Sequence, residues 1–225
     1  MAMGRIHSWE SMGLVDGPGI RTVIFLQGCR LRCRYCHNPD TWELCGGGTL
    51  ESPEETVNRL MRFKPYYGAD GGVTFSGGEP LLQKEFLTEV LALCKSRGIH
   101  TCLDTAGVGC GGYGEILKNT DLVLLDVKHY TPEGYQAVTS RSMDAYEEFL
   151  DAVQSMEVPL WLRHVVVPGI TDTEEECEAL GRLIAPWHNV VGLEMLPYHT
   201  MGIVKYEQLG LEYPLKGVPA MDKGR

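Results

Sequence analysis

The chain has 225 residues, of which 44% are hydrophobic and 22% charged, and a formal net charge of −10. That length supports one sizeable core and is short for two, and the composition is that of an ordinary globular protein. No run approaches the roughly 20 apolar residues that span a bilayer, the N-terminal MAMGRIHSWESMG lacks a secretory pattern, and the acidic balance argues against general nucleic-acid binding. The expectation is a cytoplasmic protein, in whose reducing surroundings eight cysteines point to metal or redox chemistry rather than disulfides.

Apolar β-branched runs alternate with stretches of helical period, without repeats or low-complexity linkers. The first predicted strand is 22–26 (TVIFL), followed by a cysteine-rich loop and a helix near 53–63 that opens with Ser52 as N-cap, then proline and acids. A strand at 72–75 (GVTF) leads through Ser76-Gly77-Gly78-Glu79-Pro80 into a helix near 84–97, which Gly98 ends. Strands at 100–104 (HTCLD) and 122–127 (LVLLDV) precede a helix near 143–155. Strand 160–167 (LWLRHVVV), a helix near 173–185 and strand 192–196 (GLEML) complete the pattern. Strand–helix alternation implies a parallel α/β sheet with right-handed crossovers. Six units are too few for an eight-fold barrel, and both an open doubly wound sheet and a partial barrel satisfy the pattern. Either places ligands at the strands' carboxyl ends, where polar residues gather: Asp104-Thr105, Asp126-Val127-Lys128, Pro168-Gly169 and Pro197-Tyr198-His199.

The loop after the first strand reads Gly28-Cys29-Arg30-Leu31-Arg32-Cys33-Arg34-Tyr35-Cys36-His37-Asn38. CxxxCxxC places three thiolates in one short loop, and soft thiolates suit zinc or iron–sulfur clusters. Cys45 or His37 could complete a four-ligand zinc site, making a non-catalytic adaptor. A four-iron cluster normally takes four cysteines, so three leave one iron open to a ligand. The remaining cysteines are scattered, and Cys94, Cys102, Cys110 and Cys177 read as small buried hydrophobes. Arg21, Arg30, Arg32 and Arg34 are expected around this loop, either serving the site or merely solvated.

The cysteine motif after the first strand resembles the radical S-adenosylmethionine (radical SAM) enzymes. The wider set, Val15-Asp16-Gly17-Pro18-Gly19-Ile20-Arg21, Tyr35-Cys36-His37-Asn38, Ser76-Gly77-Gly78-Glu79, Leu103-Asp104-Thr105, Leu125-Asp126-Val127-Lys128 and Leu196-Pro197-Tyr198-His199, resembles the glycyl-radical-enzyme activases among them, in order along nearly the whole chain. The resemblance implies a partial (β/α)6 TIM-like barrel as a single radical SAM domain over 1–225. It also implies a [4Fe-4S] cluster on Cys29, Cys33 and Cys36 whose free iron chelates S-adenosylmethionine. One electron then yields a 5′-deoxyadenosyl radical that removes hydrogen from a glycine Cα of a partner enzyme. With only Cys45 between Cys36 and Ser76 there is no extra cluster insert, which favours a partner of the pyruvate formate-lyase type over the enzymes of choline, glycerol or aromatic substrates. The electron donor is expected to be flavodoxin or a similar carrier, with no nucleic-acid or membrane partner and a monomeric state.

By the same resemblance, Gly77, Gly78 and Glu79 hold the methionine amino group, although Gly-Pro-rich turns occur everywhere. Pro80 is commoner in other radical SAM proteins than in the activases. Asp104, Thr105 and Asp126 would bind a monovalent cation beside the cofactor carboxylate; otherwise the two acids are caps or rim residues. Asp126, Val127 and Lys128 would contact S-adenosylmethionine, Lys128 sharing a strand face with Asp126. Tyr35 and His37 would lie against the adenine and His199 against the ribose or adenine edge. Arg163, in an apolar strand, needs an acidic partner or a ligand carboxylate, and the resemblance favours the ligand. Asp16 would meet the partner's glycine loop. After 215–219 (LKGVP) the terminal helix that the resemblance implies is expected to be truncated, with Met221-Asp222-Lys223 as the remnant of its first turn. The competing reading is a small-molecule radical SAM enzyme such as a 7-carboxy-7-deazaguanine synthase.

Overall fold

The computed structural model describes residues 2–222. Strands β1 (Gly4–Gly13), β2 (Arg21–Leu26), β3 (Thr49–Glu51), β4 (Gly72–Gly77), β5 (His100–Thr105), β6 (Leu122–Asp126), β7 (Leu160–Val166) and β8 (Val190–Pro197) form one sheet in the order β3-β1-β2-β4-β5-β6-β7-β8. The run from β2 through β4, β5, β6 and β7 to β8 is parallel and matches the six expected strands. The sheet does not close, because β3 and β8 are its edges. It is a partial barrel with two antiparallel strands, β1 and β3, added at the β2 edge of the parallel run.

The predicted helices are present as α1 (Pro53–Leu60), α2 (Lys84–Ser96), α5 (Asp144–Ser155) and α6 (Glu174–Ile184). Ser52 caps α1 in a full capping box with Glu55. Unforeseen are β1, β3, α3 (Gly114–Leu117), α4 (Pro132–Thr139) and α7 (Ile203–Leu209). β1 is polar and carries two register shifts, so no period of two marks it. A signal for α4 was present: Thr131 caps the Gly134 N–H and Pro132 stands in the first turn. Met221 and Asp222 are not helical, and the Met221 N–H donates to the Tyr198 carbonyl at 2.8 Å. Of the expected remnant, Lys223 lies outside the described residues.

Strand alternation divides the sheet into two faces. Ile24, Leu26, Val73, Phe75, Leu103, Val123, Leu125, Leu160 and Leu162 join the large core that packs against the helices. The other face carries Cys102, Leu122, Leu124 and Trp161 as a small apolar cluster, with Ser76, Asp104, Asp126 and Arg163 bordering a cavity.

Arg21 is not beside the cysteine loop but fully buried at the start of β2. Its Nε donates to Thr74 Oγ1 at 2.7 Å, and its amino groups donate to the carbonyls of Val73 (2.8 Å) and Pro18 (3.0 Å). The Thr74 hydroxyl in turn donates to the Asp16 carbonyl at 2.7 Å, so this arginine fixes the 14–20 loop. Arg21→Met would leave these acceptors buried and unmet, a cost of about 3 kcal/mol or more. Thermal unfolding of that variant is expected to fall by about 6–12 °C; a shift under about 2 °C would show that water replaces the guanidinium.

Candidate active site

A cavity of about 700 Å³ opens on the concave face of the sheet. Cys29, Cys33, Cys36, Tyr35 and His37 border it from the loop after β2, and Val15 and Asp16 from the loop before β2. These loops stand at opposite ends of a six-residue strand, which spans about 20 Å. The cavity is therefore elongated, with thiols at one end and an aspartate at the other. Gly77, Gly78, Asp104, Thr105, Asp126, Lys128, Arg163 and His199 also border it, gathered from successive strand ends. Glu79 and Val127 do not line it.

The cysteine loop is held from beneath. The Gly28 N–H donates to the Thr41 carbonyl at 2.7 Å, and the Gly78 and Glu79 N–H groups donate to the carbonyls of Leu26 and Gly28 at 2.8 Å each. A Cβ on Gly77 would come within 2.3 Å of the Leu26 nitrogen, and one on Gly78 within 2.3 Å of the Gly28 carbonyl oxygen. Gly77 also has φ +114°, open chiefly to glycine. The glycine pair thus lets two loops pack backbone to backbone. The Glu79 side chain, expected at the ligand, is fully buried and turned into the protein. It accepts from Thr105 Oγ1 (2.5 Å), the Ala106 N–H (2.9 Å) and the Leu81 N–H (3.2 Å). Burial raises its pKa to about 7, against the pull of these donors. The Thr105 hydroxyl thus gives its proton to Glu79. Val127 is corrected likewise: its side chain joins the core and its N–H donates to the Arg163 carbonyl at 2.8 Å.

Burial pushes the thiols of Cys29 and Cys33 up to about 12 and about 11, and Cys36 upward too. Such thiols are inert as nucleophiles, whereas a bound metal deprotonates them outright. Cys36 receives the Asn38 N–H at 3.4 Å and a hydrogen bond from the Trp42 side chain. Among the described residues, no three His, Cys, Asp or Glu side chains converge as a single metal ion requires. Three thiols that border one cavity suit a multi-iron cluster, in which each thiolate binds a different iron. Of the two proposed fourth zinc ligands, Cys45 is exposed in a separate surface depression, whereas His37 borders the thiol cavity with its Nε2 3.1 Å from the His199 carbonyl, an arrangement that leaves Nδ1 for a ligand. Cys94 and Cys102 are buried as expected, but Cys110 and Cys177 are exposed.

Beyond the thiols lies a charge cluster. Arg163 reaches both acids, bonding to Asp104 and standing 3.4 Å from Asp126. Asp126 also receives Lys128 Nζ at 2.8 Å, and Asp104 accepts from Ser76 Oγ at 2.6 Å. The cation between the two carboxylates is thus the Arg163 guanidinium, whose acidic partners are internal. Burial raises the pKa of Asp104, while for Asp126 it is outweighed by Lys128 and Arg163, which lower the pKa. For Lys128 and Arg163 burial is outweighed by the facing acids, and both stay charged.

Two polar atoms at this cavity are buried with no hydrogen-bond partner among the described residues: Tyr35 Oη and His199 Nδ1. The His37 and His199 rings lie 4.1 Å apart, and Lys128 Nζ stands 5.5 Å from the Tyr35 ring centre. These orphaned groups beside closely packed, tilted rings fit an organic ligand that is both polar and aromatic. Trp42, Leu31, Met201 and Glu194 also line the cavity unforeseen; Trp42 lies six residues past Cys36, where loop sequence carries no periodic signal.

Asp16 has its pKa raised to about 6, by burial first and by Asp104 next, with Arg163 opposing. Between about pH 4 and 6 the native state keeps this proton and the unfolded chain releases it, so the group makes stability fall as pH rises across that window.

Comparison with known proteins agrees with this site. Residues 23–180 match the model of the radical SAM superfamily. The chain is 58% identical over 224 residues to the pyruvate formate-lyase-activating enzyme of Clostridium pasteurianum, covering 99% of this chain and 94% of that protein. It is 43% identical to the enzyme of that name from Listeria monocytogenes, covering 98% and 92%. Among solved structures, a domain of a pyruvate-formate lyase-activating enzyme from Bacteroides vulgatus superposes with a TM-score of 0.53 at 26% identity, covering 63% of this chain and 96% of that one. QueE from Escherichia coli superposes at 0.60 with 17% identity over 93% and 92%, a likeness of fold alone.

Two measurements probe the site. Carbon-detected NMR should find Asp16 titrating near pH 6, lower in Asp104→Asn and higher in Arg163→Gln; shifts of opposite sign would contradict the charge cluster. Glu79→Ala strands three buried donors, and its unfolding temperature should drop by about 6–12 °C with faster loss of iron from the reconstituted protein. A variant that keeps both would show that Glu79 does not hold the loop.

Proposed function

The chain belongs to the pyruvate formate-lyase-activating enzymes of the radical SAM superfamily, and from that premise we propose that it generates a glycyl radical on pyruvate formate-lyase. It is an oxidoreductase that depends on a [4Fe-4S] cluster and S-adenosylmethionine. The observation that carries this is the set of three thiols on one cavity with a pocket of unpartnered polar atoms, in a chain similar to such activases over almost its whole length. Bound together, the two groups supply one-electron reductive chemistry able to take a hydrogen atom from a glycine Cα.

The residues of the chain have the complementary tasks. Cys29, Cys33 and Cys36 hold the cluster, and the Asn38 and Trp42 donors steady Cys36. Tyr35, His37 and His199 form the wall for the adenosine, and the His199 Nδ1 is left to bond it. Gly77 and Gly78 border the amino-acid end, where Asp126, Lys128 and Arg163 balance a carboxylate. Asp104 and Asp126 remain the ligands for a monovalent cation, which would compete with Arg163 for them. Asp16, with exposed Leu14 and Val15 beside it, meets the partner's glycine loop at the far end of the cavity. The elongated shape keeps water from the space between. A single domain over 1–225, a monomeric state, a flavodoxin-like donor and a cytoplasmic setting complete the reading. No helix among the described residues is long and apolar enough to cross a membrane.

The decisive assay is anaerobic, with reductant, S-adenosylmethionine and pyruvate formate-lyase. Electron spin resonance should show a glycyl radical that needs all three, and Cys33→Ala should lose cluster and radical together. If 5′-deoxyadenosine accumulates while the partner never acquires a radical, the substrate is a small molecule instead. Colourless protein that carries zinc without sulfide would leave only the adaptor reading.

A further inference from the structure

The cysteine loop has a second face. From Cys29 to Tyr35 burial alternates: Cys29, Leu31, Cys33 and Tyr35 are buried, while Arg30 and Arg32 are exposed and Arg34 is half-exposed. Up to Cys33 such alternation belongs to extended backbone, whose successive side chains point to opposite sides; Arg34 and Tyr35 then form a turn closed by the Cys36 N–H donating to the Cys33 carbonyl at 3.1 Å. The segment is pinned in that form by the end of α4, because the Arg32 N–H donates to the Thr139 carbonyl at 2.8 Å and the Arg34 N–H to the Val138 carbonyl at 3.0 Å. Exposed Arg141, just past α4, donates through Nε to the Arg30 carbonyl at 3.0 Å and adds a fourth guanidinium.

None of the four arginines borders the cofactor cavity, and none makes an ion pair with an acid among the described residues. Arg32 is partly committed, bonding the Cys29 and Leu31 carbonyls at 2.9 and 2.7 Å and lying 4.6 Å from the Trp42 ring centre. Among the described residues, Arg30 and Arg34 have no side-chain bond of their own to another residue. A protein of net charge −10 therefore concentrates unpaired positive charge on the back of the loop whose front carries the thiols.

We infer that this arginine face is the docking surface for a small acidic one-electron carrier protein, which delivers its electron through the cysteine loop. The inference rests on the cluster reading above and adds the entry side to it. The step is one electron out of the reduced carrier and one electron into the cluster, with no proton or atom transferred. Charge complementarity decides the partner class: general repulsion between two acidic proteins would slow the encounter, and a local basic patch converts it into a steered one. Electrons then enter from the arginine side while the glycine loop approaches the Val15–Asp16 end, so carrier and substrate do not compete for one surface.

The test uses the full chain with its cluster reconstituted, and the double variant Arg30→Glu/Arg34→Glu. Cluster reduction is followed by stopped-flow bleaching with a reduced acidic flavodoxin, and separately by photoreduction with uncharged 5-deazaflavin. The wild-type rate with flavodoxin should fall as salt rises, while the variant should be about tenfold or more slower at low salt with a flattened salt dependence. Iron content, sulfide content and deazaflavin reduction should be the same in both. Equal flavodoxin rates in the two proteins, or a wild-type rate indifferent to salt, would overturn the inference. A variant that is reduced normally by flavodoxin but no longer activates pyruvate formate-lyase would reassign the patch to the substrate enzyme. Loss of deazaflavin reduction would mean that the substitutions damage the cluster rather than the docking. Wild-type protein that takes up no iron and sulfide would instead remove the cluster reading on which all of this stands.

Discussion

The Glu79 carboxylate and the backbone around it join three strand ends that would otherwise drift apart. Its N–H donates to the Gly28 carbonyl at the base of the cysteine loop, and its side chain accepts from Thr105 and Ala106 past the end of β5. Gly77 and Gly78 make the contact possible, because any Cβ there would strike the backbone of Leu26 or Gly28. A buried carboxyl is costly unless its oxygens are met by donors, and here three donors meet them. The position of the thiols over the sheet follows from this knot.

A second constraint shapes the middle of the cavity. Asp104 and Asp126 end neighbouring parallel strands on the same face, with Arg163 and Lys128 supplied by β7 and the residues just past β6. Two carboxylates and two cations balance locally, which offsets part of the cost of burying charge, although burial still raises the pKa of Asp104. A ligand carboxylate entering this group changes the balance, and so do Asp16 or a small cation.

The cysteine loop unites these features because it runs extended to Cys33 and then turns at Arg34 and Tyr35. Its alternation sends thiols and Tyr35 inward and arginines outward, with Thr139 and Val138 fixing its edge. One strand-like segment can in this way serve two encounters, a small-molecule cofactor on one side and a protein on the other.

The sequence by itself determined a good deal. The six parallel strands and four of the helices were legible because their apolar periods and caps are local signals, and the three cysteines because ligand spacing within one loop is local as well. The chemical character of the cavity rim was legible too, since parallel topology brings strand ends together whatever the side chains do. Tertiary structure alone decided which rim residues face the cavity. Glu79 and Thr105 turn inward because each finds its partner in the other, 26 residues away, and Arg21 serves the 14–20 loop through Thr74, 53 residues away. Arg163 meets Asp104 across 59 residues. Pairings of that kind depend on which strands become neighbours and in what register, a property of the folded sheet that no local pattern of residues encodes.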